Sequence, residues 1–174
     1  MSKDTRMNQS FFYIPVPGFI AILLTWMLYA FDSSSALLGS IVSATENAVM
    51  VSSHFPVLSS VLSSIVKLAP LFAIVFCFRE GRAVVARMKV LPVKQVILGF
   101  FLGLFVFSFF SFLFQLIDSD LAERKRSIFR YISSSEPFLV LYYGIVFFVY
   151  YGLTIACIIC SFIIPGVRIM KKRG

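Results

Sequence analysis

From Val96 to Ile117 the chain carries no charged residue, and the run stops only at Asp118. A helix needs about 20 apolar residues to cross the hydrocarbon core of a bilayer, so this stretch is long enough to span one. The runs Phe11 to Phe31 and Phe138 to Ile164 have the same character. A soluble domain carries about 25% charged residues, whereas this chain has 14%, with 59% hydrophobic residues and 21 Phe. One water-soluble core of this size could not hide so much apolar surface. The pattern predicts an all-α integral membrane protein, a single polytopic domain over residues 1–174. Four transmembrane helices are expected, at about 11–31, 57–78, 96–117 and 138–164.

The second of these is the weakest. It holds Ser59, Ser60, Ser63, Ser64, Lys67 and Pro70 among its apolar residues. Large apolar side chains favour insertion by about 0.3–0.6 kcal/mol each, and a lysine at mid-depth costs about 2.5–3.5 kcal/mol. The balance lies near zero, so this helix needs its neighbours to stay in the membrane. Pro15 and Pro17 fall in the first turn of the first span, where a missing N–H costs little. No small-residue cleavage site follows that span, which therefore reads as a retained helix.

Orientation follows from the short connections. With both termini cytoplasmic, the inner side holds Lys3, Arg6, Arg79, Arg82, Arg87, Lys89, Lys94, Arg168, Lys171, Lys172 and Arg173. The outer side holds only Arg124, Lys125, Arg126 and Arg130, so the positive-inside rule favours this topology. The net charge of +8 is thus a topology signal and not a nucleic-acid surface. Between the first two spans, Leu37/Leu38, Ile41/Val42 and Ala48/Val49 recur at helical spacing. That predicts a short amphipathic helix on the outer leaflet over Ala36 to Val51, and Arg124 to Ile132 has a similar pattern.

Few residues carry chemistry. Lys67 either snorkels outward, pairs with Asp118 or Asp120, or offers a polar handle to a partner within the bilayer. Ser60 and Ser64 belong to a small-residue face, and Gly99 and Gly103 form a G-x-x-x-G. Both patterns suit close helix packing, within this chain or against another. His54 stands alone without metal-ligand neighbours, so no metal or cofactor is expected. Cys77, Cys157 and Cys160 all lie in apolar runs, against a disulfide framework. No nucleophile motif with a paired base is present, and an enzyme is the weakest class. A transporter or channel subunit would need more intramembrane acids or matched broken helices. A binding module fits better, and an assembly factor of a secretion or conjugation system is the other rival.

Particular stretches carry a likeness. Ile41-Val42-Ser43-Ala44-Thr45-Glu46-Asn47, Lys67-Leu68-Ala69-Pro70, Leu141-Tyr142-Tyr143-Gly144 with Phe147-Phe148, and Arg168-Ile169-Met170-Lys171-Lys172-Arg173 occur in that order. The chain resembles the immunity proteins against A-type pore-forming colicins in these stretches and in the spacing of its spans. The resemblance implies an inner-membrane protein with cytoplasmic termini. It implies protection of a toxin-producing bacterium by binding the colicin's pore-forming domain in the bilayer before the channel opens. Thr45, Glu46, Asn47, Ser60, Ser64, Lys67, Gly99 and Gly103 are then the candidate toxin contacts. One copy or several would fit equally.

Overall fold

The computed structural model describes residues 9–33, 35–44, 50–88, 93–115, 119–120 and 127–160. The elements run in the order α1 (Val16–Phe31), α2 (Ala36–Ala44), β1 (Met50–Val51), α3 (Pro56–Val66), α4 (Ala69–Met88), α5 (Val93–Gln115), β2 (Ser119–Asp120), α6 (Ser127–Ser133) and α7 (Glu136–Ile158). The expectation of an all-helical chain is met apart from one two-residue parallel ladder. It pairs Met50 with Ser119 and Val51 with Asp120. So short a pairing has no alternation to betray it in sequence.

Three stretches of helix are long and apolar enough to cross a membrane: Gln9–Phe31, Pro56–Gly81 and Glu136–Ile158. The remaining expected span, 96–117, lies in the helix α5, whose shorter apolar stretch is Ile97–Phe109; residues 116–118 lie outside the described residues. Phe31, Phe78, Leu98 and Phe105 are each at least 70% exposed. Apolar surface so displayed would be an aggregation hazard in water and is ordinary against lipid. The amphipathic helix expected over 36–51 ends at Ala44, with residues 45–49 outside the described residues and β1 beyond them. The basic segment expected at 124–132 is helical over Ser127–Ser133.

By compactness the chain divides into two units, of which one comprises residues 1–16, 70–110 and 149–174. Its centre is aromatic. Phe11 packs edge-on to Phe76 at 5.7 Å and tilted against Tyr151 at 5.4 Å, and Tyr150 stacks on Phe107 at 5.8 Å. Residues 14–15 turn there, at Pro15. Pro15 has no N–H to give the carbonyl four residues back, that of Phe11. The Tyr151 hydroxyl donates to that carbonyl instead, at 3.2 Å. In a bilayer no water could do so, which gives the buried phenol a defined task.

In the same unit Ser10 Oγ donates to Glu80 Oε1 at 2.9 Å, and Arg79 Nε lies 3.5 Å from the same oxygen. The Glu80 side chain is only 11% exposed. Glu80 lies beyond the expected span 57–78, next to last in the helical stretch Pro56–Gly81. Ser10 covers it from the first helical stretch. A hydrogen bond to a charged group contributes about 1.5–3 kcal/mol. Glu80→Leu should therefore lower the thermal unfolding midpoint in detergent clearly, while Glu80→Gln, which keeps an acceptor, should lower it less. Equal midpoints for both variants would show that Ser10 gains nothing from the carboxyl group.

The other unit comprises residues 17–69 and 111–148. Leu58, Leu62, Leu139 and Phe147 are completely buried in it, and Ile22, Leu38, Val61 and Tyr143 nearly so. Gly18 lies directly beneath the Phe147 ring, which also meets Phe19 edge-on at 5.5 Å. Here only a glycine leaves the ring room.

Candidate functional site

The polar groups of the second unit gather around the connections that enter and leave its helices. β1 leads into Ser52, whose N–H donates to Ser59 Oγ at 2.9 Å. Ser59 Oγ in turn donates back to its own helix, shared between Phe55 O at 2.8 Å and Pro56 O at 3.2 Å. Ser52 Oγ reaches Ser133 O, at the end of α6, at 3.2 Å. Ser133 Oγ closes the chain of bonds on Arg130 O at 2.8 Å. Ser52, Ser59 and Ser133 are fully buried. Buried hydroxyls without partners would be costly, and these are partnered throughout. The first connection, between α1 and α3, is thus stapled to the second, between α5 and α7, and the β1–β2 ladder joins the same two segments.

α2 completes this platform. Leu38 is 1% exposed and anchors the helix, which packs against α3. Leu37, Gly39, Ser40 and Ser43 are exposed. Ser40 and Ser43 turn their hydroxyls onto Leu37 O at 2.8 Å and Ser40 O at 2.9 Å. These serines are satisfied within the helix, so α2 presents a smooth, weakly polar face.

The expected contact residues fall in three groups. Thr45, Glu46 and Asn47 lie outside the described residues, in the connection from α2 to β1. Ser60 is buried, and Ser64, half-buried, donates to its carbonyl at 3.0 Å. Lys67 sits at the break between α3 and α4, where the chain turns over Lys67 and Leu68. Lys67 N–H bonds Ser63 O at 3.3 Å and Leu68 N–H bonds Ile65 O at 3.0 Å. Pro70 cannot donate in the next turn, which accounts for the break. A cation at the C-terminal end of a helix is favoured by the carbonyl dipoles there. The half-buried Lys67 is therefore placed at a helix end and not midway along an unbroken helix.

Gly99 and Gly103 belong to the first-described unit. Gly103 is met by α7: Cys157 Sγ donates to its carbonyl at 3.2 Å. A side chain on Gly99 would meet nothing within 4 Å. The G-x-x-x-G therefore marks one close approach within the chain at its second glycine. Sequence reasoning missed Ser52 and Ser133. Their signal was the pairing of serines with a following proline, Ser52-Ser53 before Pro56 and Ser133-Ser134-Ser135 before Pro137, at the start of two crossing helices.

Among the described residues, no three His, Cys, Asp or Glu side chains gather as a metal site would require. His54 is exposed at the platform. What the described residues offer is two connections joined to each other by buried hydrogen bonds and a short ladder. The family described as colicin immunity protein matches residues 34–174. No curated protein and no solved structure matches the chain.

Proposed function

As the chain belongs to the colicin immunity protein family, we propose that it protects its host by binding the pore-forming domain of a cognate colicin within the inner membrane. Immunity proteins are inhibitory binders and not enzymes, and the family implies a colicin as partner. The observation that supports a pore former as the target is the set of crossing-length apolar helices. A nuclease toxin is neutralised where it is soluble, whereas a pore former must act in the bilayer. An inhibitor that lives in the bilayer meets it there. We assign four spans, with α5 as the third, and both termini in the cytoplasm, from the distribution of Lys and Arg.

The mechanism is a shift of population. The inserted toxin passes from a closed to an open form, and a protein that binds the closed form more tightly holds it there. Turning a nearly open population into a nearly closed one needs a preference of about 10⁴-fold, or about 5.5 kcal/mol. Thr45, Glu46, Asn47 and Lys67 supply polar discrimination, and of the small residues Ser60, Ser64, Gly99 and Gly103 it is the half-buried Ser64 and the exposed Gly99 that a toxin helix can reach.

The test is a killing assay. The chain is expressed in a sensitive strain and challenged with a panel of A-type pore-forming colicins and one nuclease colicin. Protection by several orders of magnitude against one or two related pore formers, with nuclease killing undiminished, is expected. Uniform sensitivity, with the protein present in the membrane, would sink the proposal in favour of a transporter or an assembly factor. In the same assay Lys67→Leu should reduce protection at least tenfold. Full protection by that variant would remove Lys67 from toxin recognition.

A further inference from the structure

Two side chains in the second half of α6 are exposed. Arg130 is exposed and Tyr131 is 63% exposed. Their backbone is held from behind, since Ser133 Oγ bonds Arg130 O and Ser133 O is taken by Ser52. The Tyr131 ring rests on Phe138, with centroids 5.2 Å apart and planes tilted by 45°. Phe138 is in the first turn of the crossing-length helix Glu136–Ile158 and is itself 43% exposed.

That contact fixes depth. A ring stacked beside the first turn of a membrane span sits where hydrocarbon gives way to head groups, the level that tyrosine favours. Arg130 adjoins it, and among the described residues no carboxylate pairs with its guanidinium. The same connection carries Arg124, Lys125 and Arg126 in sequence, on the side where the positive-inside rule expects few basic residues. A planar guanidinium matches a phosphate with two parallel hydrogen bonds. We propose that Arg130 and Tyr131 form a docking point for the head group of an anionic phospholipid in the outer leaflet. An acidic protein segment would be the alternative counter-charge, but both side chains are exposed, so a carboxylate there would stay hydrated. Lipid phosphate is present at that depth at high concentration. The inference requires that α7 cross the bilayer and does not require a colicin.

The experiment places the full chain in nanodiscs of mixed phosphatidylcholine and phosphatidylglycerol and counts retained lipids by native mass spectrometry after detergent extraction. The native chain should retain phosphatidylglycerol preferentially. Arg130→Gln combined with Tyr131→Ala should cut that preference about fivefold, and Arg130→Lys, which keeps the charge and loses the paired geometry, should fall between the two. Equal retention by the native chain and the double variant, with helical circular dichroism intact, would overturn the proposal. Unchanged lipid retention with lost protection would also overturn it, assigning the surface to the toxin. Lipid retention as expected in a chain that protects against no colicin would support the lipid site and remove only the immunity mechanism.

Discussion

Gly18→Ala should prevent stable accumulation of the protein in membranes, and Gly18→Val should do so completely. A Cβ at this position would lie 2.9 Å from both Cε atoms of Phe147 and closer still to its Cζ. The ring has little room to retreat, because Phe147 is completely buried and is flanked by Phe19. Overpacking a tight core typically costs about 1–3 kcal/mol, and here the intruding atom is on rigid backbone, which places the cost at the upper end. Quantitative immunoblots of membrane fractions, with unfolding midpoints in detergent, measure it. Phe147→Leu should rescue Gly18→Ala by vacating the ring's volume. Normal accumulation of Gly18→Ala, or failure of that rescue, would show that the glycine serves some other purpose. By contrast Gly99→Ala meets no neighbour among the described residues and should leave accumulation unchanged.

Ser59→Val should uncouple the two connections while leaving the helices in place. It removes the acceptor of the Ser52 N–H inside a buried site. A buried donor left without a partner costs about 1–3 kcal/mol, and β1 and the Ser52–Ser133 bond share the same anchor. Faster proteolysis of the platform in spheroplasts is expected, with helical circular dichroism retained. Protection in the killing assay should fall at least tenfold. Ser59→Thr keeps the hydroxyl and should preserve most of both. A Ser59→Val protein with native protease resistance and full protection would mean that the hydroxyl network does not shape the recognition surface.

Much of the architecture was legible because a bilayer imposes a length on apolar runs. The three crossing-length stretches begin within two residues of where composition placed them. The turn at Pro15 and the break before Pro70 follow from a missing N–H, a property of the residue itself. What sequence could not convey were partners supplied by backbone. Ser59 was visible as a small residue on a helix face, but the N–H it accepts belongs to a connection brought near only by folding. The same holds for Phe11 O, whose donor lies 140 residues away. Lys67 was legible as an anomaly, yet its tolerance comes from a helix end that only the broken geometry supplies.

The serine staple has a bearing on how such a protein changes over time. Two connections joined by Ser52, Ser59 and Ser133 and by a short ladder share one set of buried bonds. A substitution that reshapes one connection therefore moves the other. Specificity for a new toxin would then be inherited as a matched pair of segments, and a chimera exchanging only one of them would begin with a broken joint.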